Sequence, residues 1–244
     1  MLLAIDTATE WIGLAVSDGD RILAEQVWLA PRHATVELAP EAARLLRRIG
    51  VAEERLAGLA LTIGPGSFSG LRIGLAFAKG LAFGRGLKIV PVPTLDVLAF
   101  GQPPRSEPML ALLSAGRGRC AAAWYKWSKR KWKANGPIRV LEAQTLTGML
   151  DQPTYVCGEM EAETRLALAG DRNALLAPPE LCLRRPAVLA QIGWDRLRAR
   201  KASDPVALVP LYPGAADGGR TAAQYAFDFG GGFNVNYTYS DSES

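Results

Sequence analysis

The sequence predicts an α/β protein of two similar lobes, each a mixed sheet with the order β-β-β-α-β-α. Three observations carry this. Short apolar runs of period 2 interleave with longer segments whose apolar residues recur at i, i+4, i+7 and i+8. Three strand-like runs precede the first helix-like segment, so an antiparallel meander comes before the crossover units. The same succession returns after Gln102-Pro103-Pro104, which marks a joint. Lobes at 1–103 and 104–213 follow, with residues 214–244 as a tail. The chain has 244 residues, 49% apolar and 21% charged, and this excludes fibrous, collagenous and wholly disordered classes.

In the first lobe, Leu2 to Thr7 and Trp11 to Ser17 read as strands, and Asp18-Gly19-Asp20 turns the chain into a third, Arg21 to Leu29. His33 to Ile49 reads as a helix, with Leu38, Ala42, Leu45, Leu46 and Ile49 on one face; Pro40 should bend or delay its first turn. A buried-looking strand, Leu59 to Ile63, runs through a glycine-rich turn into a second helix ending near Phe83, and Lys88 to Val92 is the next strand. This is the order of a ribonuclease-H-like half-domain.

The second lobe repeats it less regularly. Met109 to Ala115 and Arg119 to Trp127 read as strands, with Trp132 to Leu141 as a broken third. A short helix near Thr145 to Leu150, a strand Thr154 to Gly158, a helix Glu161 to Ala169 and a last helix from Pro186 to Lys201 complete it. In the tail, Tyr225-x-Phe227-x-Phe229 and Phe233-x-Val235-x-Tyr237-x-Tyr239 flank three glycines, so a hairpin and an appended disordered segment are both open readings.

The net charge of +4 hides an uneven distribution. Eight basic residues and no acidic one lie between Arg117 and Arg139, and removing them leaves 20 basic against 24 acidic residues, a net of −4. Lys129, Arg130, Lys131 and Lys133 are the densest part; they read either as a solvated strand edge or as a contact for nucleic-acid phosphates. Cys120, Cys157 and Cys182 are far apart and match neither a disulfide framework nor a zinc spacing, which fits a reducing cytoplasm. No run approaches the length of a membrane span, and the apolar N-terminus lacks a basic flank and carries Asp6 and Glu10, so secretion and membrane association are not expected.

Two stretches could carry chemistry. Gly64-Pro65-Gly66-Ser67-Phe68-Ser69-Gly70 ends a strand and opens a helix, a place where free N–H groups meet an anion. It lacks the Gly-Lys-Ser/Thr ending of a Walker loop, and a tight structural connection is the plainer alternative. Ile5-Asp6-Thr7 closes the first strand and would put a carboxylate and a hydroxyl beside a metal-bound nucleotide phosphate, or simply accept local backbone hydrogen bonds. Asp6, Thr7, Gly64, Gly66 and Ser67 are therefore the nucleotide or phosphate candidates. Along the helix after the loop, Gly70, Gly74, Ala78 and Ala82 form a small-residue stripe that would admit another helix closely, from this chain or from a partner. His33 is the sole histidine; with Glu37 it makes neither a zinc site nor a hydrolase dyad, so no catalytic residue and no metal ligand is nominated.

Taken together, Leu3-Ala4-Ile5-Asp6-Thr7-Ala8-Thr9, Arg32-His33 ahead of the segment with Pro40, and Gly64 through Gly74 resemble the TsaB (YeaZ) family. These are bacterial subunits of the machinery that makes N6-threonylcarbamoyladenosine (t6A) beside the tRNA anticodon. The likeness covers the first lobe, extends to the second only in size and element order, and omits the tail. It implies a two-lobed actin-like (ASKHA) fold and a non-catalytic subunit without a cofactor of its own, ATP and a metal ion belonging to the partner subunits. The implied partners are TsaD, which transfers the threonylcarbamoyl group, and TsaE, with tRNA as the substrate of the complex, which makes Lys129, Arg130, Lys131 and Lys133 candidates for an auxiliary tRNA phosphate contact. The implied interface lies on the first-lobe helices, at His33, Leu38, Ala42, Leu45, Gly70, Leu71, Gly74, Phe77, Ala78 and Leu81, and the same surface would serve a homodimer. Two departures stand out: Ser69 where the family commonly has Thr, and Ser114-Ala115-Gly116-Arg117 where it commonly has Asp-Ala-Arg. An autonomous ATP-dependent kinase or ATPase of the same fold is the alternative.

Overall fold

The computed structural model describes residues 1–31 and 33–212. The tail expected at 214–244 and Arg32 lie outside the described residues. Contacts divide the chain into one unit of Met1–Val97 with Arg184–Leu211 and a second built on Leu98–Leu183.

The first unit opens with β1 (Leu2–Asp6), β2 (Trp11–Ser17) and β3 (Ile22–Leu29), then α1 (Ala34–Arg48), β4 (Gly58–Thr62), α2 (Phe68–Arg85) and β5 (Lys88–Val92). Its sheet runs β3-β2-β1-β4-β5, antiparallel through the meander and parallel from β1 to β4 to β5. This is the ribonuclease-H-like order the sequence predicts. Helix α1 starts at Ala34 despite Pro40, which sits inside it. Proline costs a helix one backbone donor; its i−4 residue, Val36, is exposed, so the orphaned carbonyl lies where water reaches. Helix α2 begins at Ser67, whose hydroxyl accepts from the Gly70 amide, and ends at Gly86 in the left-handed conformation, φ 64°.

A short helix α3 (Thr94–Phe100), absent from the sequence reading, carries the boundary, which falls between Val97 and Leu98 instead of after Pro103. The second unit continues with β6 (Met109–Gly116), β7 (Arg119–Ser128), β8 (Lys131–Ala134), β9 (Arg139–Glu142), β10 (Thr154–Glu159), α4 (Ala162–Ala169) and β11 (Ala174–Leu176), and the last helix of the chain is α5 (Pro186–Arg198). The broken third strand is two strands, β8 and β9, that pair with different stretches of β7. The expected helix at Thr145 to Leu150 is a pair of short 3-10 turns, Ala143–Thr145 and Thr147–Met149. These turns stand where the first unit has α1, and Leu146 between them is buried in the core with Leu110, Leu112, Ala122, Val156 and Leu168.

The largest departure concerns α5. Expected to close the second lobe, it belongs to the first unit and lies on one face of that sheet, where Leu189, Ala190 and Ile192 pack among Leu2, Ala4, Ala15, Ala60 and Val90. The small side chains on the strands explain the fit. They leave room for a helix at close range, and a Cβ on Gly193 would run into Ala60.

Candidate functional site

Asp6 ends β1 and is buried, with 2% of its side chain exposed. Its carboxylate is fully engaged. The Arg184 Nε donates to Oδ2 at 2.7 Å, and Oδ1 accepts from the Thr62 hydroxyl at 2.9 Å and the Ala8 amide at 3.0 Å. Arg184 is equally buried, and its Nη2 also donates to Thr9 Oγ1 at 2.9 Å and to the Trp11 carbonyl at 3.4 Å. A charge taken out of water is tolerated where its partner and remaining hydrogen bonds are supplied. Here both are supplied from within the unit. The residues do not fit a metal-bound phosphate as arranged: the carboxylate that would ligate the metal faces a fixed guanidinium carrying the compensating charge.

The glycine-rich loop is closed in the same way. The Ser67 amide donates to the Ala8 carbonyl at 2.7 Å, and the Thr7 hydroxyl donates to the Gly70 carbonyl at 2.8 Å. A Cβ at Gly66 would collide with the Ala8 carbonyl, and one at Gly64 with the carbonyl of Leu211, whose amide donates to the Ile63 carbonyl at 2.6 Å. The glycines serve close backbone approach on both sides of the loop. Asp6, Thr7, Gly64, Gly66 and Ser67 are thus brought together as the sequence suggests, but their hydrogen bonds turn inward. Of the five, Ser67 alone is exposed, and its hydroxyl caps α2.

The partner surface proposed from sequence requires correction. Leu38, Ala42 and Leu45 of α1 and Gly70, Leu71, Gly74 and Ala78 of α2 are all buried. The small-residue stripe packs against the chain's own sheet: at Gly74 a Cβ would strike the Thr7 hydroxyl, with Leu61 at 3.3 Å, and at Gly70 it would strike the Thr7 carbonyl. Helical spacing of small residues predicts a close neighbour, and at Gly70 and Gly74 that neighbour is Thr7, just after β1, with Leu61 of β4 beside it. Phe77 and Leu81 are half-buried and His33 is exposed. The outward apolar positions of the two helices are Val36 at 66%, Phe68 at 55% and Phe83 at 61% exposure, with the Arg72 guanidinium 3.7 Å over the Phe68 ring. Glu37, weighed as a companion of His33, accepts from the Trp28 indole at 2.8 Å.

A second ion pair fixes the same corner of the first unit. Glu25 of β3 binds the Arg185 guanidinium and accepts the Ala187 amide at 2.9 Å at the start of α5. Burial pushes the Glu25 carboxyl up, but the Arg185 and Ala187 hydrogen bonds outweigh it and hold it below the usual carboxylate range.

The basic stretch of the second unit divides between the two ends of β7, which at 10 residues spans about 30 Å. Arg117, Arg119 and Arg139 lie toward the end shared with β6 and β9, where Arg119 pairs with Glu142 and Arg139 with Ala122 in register. Lys126, Lys129, Arg130, Lys131 and Lys133 lie on the β7–β8 hairpin. The interleaved aromatics serve its core: Tyr125 and Trp132 are 1% exposed, and Trp127 meets Trp132 edge-on with centroids 5.5 Å apart.

Arg184 is the site residue that sequence reasoning missed. It lies 178 positions from Asp6, and Arg184-Arg185-Pro186 has no periodicity that marks it.

Comparison with known proteins places this geometry. A family model described as TsaD, tRNA N6-adenosine threonylcarbamoyltransferase, matches residues 28–170, more than half of the chain. The tRNA threonylcarbamoyladenosine biosynthesis protein TsaB of Bacillus subtilis is 29% identical over 126 residues, 52% of this chain and 55% of that protein. TsaB of Escherichia coli is 39% identical over 100 residues, 41% of this chain and 43% of that protein. The chain thus spans about half the length of the curated relatives it matches. YeaZ from Pseudomonas aeruginosa superposes with a TM-score of 0.72 at 22% identity, over 86% of this chain and 98% of that one, a likeness of fold. The chain belongs to the family that the TsaD model describes, in its TsaB (YeaZ) branch.

Proposed function

We propose that this chain is a non-catalytic subunit of the assembly that makes t6A in tRNA, activating a TsaD-type transferase by pairing with it through the outward side of α1 and α2. The single observation that carries the reading is the buried Asp6–Arg184 pair. In a fold of this kind the first-strand carboxylate is the group a metal–nucleotide would need, and here an arginine of the same unit neutralises it. ATP and a metal ion then belong to the partner subunits. The alternative, an autonomous ATP-dependent kinase, would require Asp6 to exchange a planar, multiply hydrogen-bonded guanidinium for a hydrated cation at each turnover, and the pair weighs against it.

Reconstitution tests the proposal. Threonylcarbamoyl transfer to tRNA by TsaD and TsaE should depend on adding this chain; equal transfer without it would sink the reading. Val36→Asp and Phe83→Asp, at exposed apolar positions of the two helices, should each weaken co-purification with TsaD at least tenfold with an unchanged melting temperature, a loss of about 1.4 kcal/mol of binding or more. Undiminished pairing in both would move the interface elsewhere.

A further inference from the structure

We propose that residues 225–239 of this chain cover the outward apolar side of α1 and α2 and are displaced from it when a partner subunit pairs there. The competition rests on the pairing proposed above. The covering contact rests on the chain itself.

Each of the two helices turns an apolar stripe outward. On α1, Val36, Ala39 and Pro40 are exposed at i, i+3 and i+4, and Ala43, at i+7, is half-buried. On α2, Ala76, Gly80, Phe83 and Gly84 are exposed at i, i+4, i+7 and i+8. A Cβ on Gly80 or Gly84 would meet nothing within 4 Å, so an aromatic ring can lie against the helix backbone beside Phe83. Apolar side chains that line one side of an exposed helix mark a contact surface.

Three observations name the occupant. Tyr225, Phe227, Phe229, Phe233, Val235, Tyr237 and Tyr239 recur at every second position on either side of Gly230-Gly231-Gly232, with Ala226, Asp228, Asn234, Asn236 and Thr238 between them. In an extended segment that alternation gathers the large apolar side chains on one side, which then needs a surface to lie on. Reach is the second. The described chain ends at Tyr212; the Leu211 amide donates to the Ile63 carbonyl at 2.6 Å and its own carbonyl lies against Gly64, so the segment departs from the loop that opens α2. The 13 peptide steps from Tyr212 to Tyr225 extend to about 45 Å, against about 27 Å for the 18 residues of α2. Charge is the third. Residues 213–244 carry Asp217, Asp228, Asp241 and Glu243 against Arg220 alone, whereas α1 and α2 together carry six basic residues and two acidic ones, with Arg44, Arg47, Arg48 and Arg72 exposed. Opposite fields steer the segment to this side of the unit. A short tether gives it an effective concentration of about 1 mM, so contacts too weak to join free molecules suffice to keep the surface covered.

The test uses the full chain with a bimane label on Gly80→Cys, where the added side chain has room; Cys120, Cys157 and Cys182 are buried, so the label goes to position 80. Bimane is quenched by a tyrosine close by, and the segment brings Tyr225, Tyr237 and Tyr239. Phe227→Ser with Phe233→Ser and Tyr237→Ser should raise the emission about twofold or more without TsaD, and in the unlabelled chain should tighten TsaD binding about threefold, the gain from freeing a surface that is covered about two-thirds of the time. Unchanged emission would overturn the proposal whatever the TsaD affinity. Quenching that grows with protein concentration would overturn it by naming a second copy as the occupant. Quenching of a bimane on Leu166→Cys of α4, 77% exposed in the other unit, in place of position 80 would do the same by moving the contact there. Brighter emission with unaltered TsaD affinity would support the cover and count against the pairing reading, so the two failures are distinguishable.

Discussion

Replacing Arg184 by methionine should cost the first unit about 3–5 kcal/mol, the range for removing one partner of a buried ion pair. The structure justifies the upper part of that range. Both side chains are nearly inaccessible, 1% and 2% exposed, so solvent screening gives no discount. At an effective dielectric of about 20, two unit charges about 4 Å apart attract by about 4 kcal/mol. Arg184→Met also strips the Thr9 hydroxyl and the Trp11 carbonyl of a donor. Asp6→Asn should be costly too, since it leaves Arg184 buried with its charge uncompensated, although the amide oxygen still accepts from Thr62 and Ala8. Joining the two changes removes both charges, and much of the loss should return, giving a coupling energy of about 2–4 kcal/mol in a double-mutant cycle. Urea unfolding followed by tryptophan fluorescence measures all four corners. For a chain of this size each kcal/mol moves the melting temperature by about 2–4 °C, so Arg184→Met should melt about 6–20 °C lower. A single-variant loss below about 1 kcal/mol, or a double variant as unstable as the two losses summed, would refute the account of Asp6 as a closed site.

Gly74→Ala should destabilise the fold by about 1–3 kcal/mol, because its Cβ meets the Thr7 hydroxyl and Leu61. Thermal melting reads this directly, and an unchanged melting temperature would return the small-residue stripe to the list of docking surfaces. Glu25→Gln tests the acid limb of stability. The Glu25 carboxyl is held below its ordinary range in the fold, so its ionisation contributes stability that is present above the unfolded value near about 4.3 and is lost as pH falls through the lower folded value. The variant should be less stable than the unaltered chain at pH 7 by no more than about 1 kcal/mol, since Arg185 is 59% exposed, and the difference should vanish in acid. A gap that stays constant from pH 7 to pH 3 would assign the loss to packing.

The fold was legible where local pattern and tertiary demand coincide. The meander, the two crossover strands and α2 between Ser67 and Gly86 carry alternation, turn residues and caps that all point one way. The second lobe was less legible because its third strand is divided by Gly136-Pro137 and its first crossover uses 3-10 turns, which have no amphipathic period to detect. Helix α5 was recognised as a helix and assigned to the wrong lobe. Its periodicity reports that it has an apolar face, and nothing in a periodicity names the sheet that the face covers. The stripe from Gly70 to Ala82 failed for the same reason: it encodes how close a neighbour comes, and the identity of that neighbour is a matter of chain topology.

The misplacement of α5 and the omission of Arg184 are one error with one physical cause. Returning α5 to the first sheet carries Arg184 to Asp6 at the end of β1 and Arg185 to Glu25 in the middle of β3. A carboxylate that the sequence offers as a ligand for an exchangeable cation is thereby supplied with a permanent one. The difference is energetic as well as geometric. A hydrated metal ion arrives and leaves with its nucleotide, whereas the Arg184 guanidinium stands two residues ahead of a helix that Leu189, Ala190 and Ile192 anchor in the core, which holds it close to Asp6. The pair therefore acts as a clasp holding the segment ahead of α5 to the end of β1. With its interior carboxylate held in this way, the first unit keeps Val36, Phe68 and Phe83 of α1 and α2 as exposed apolar positions.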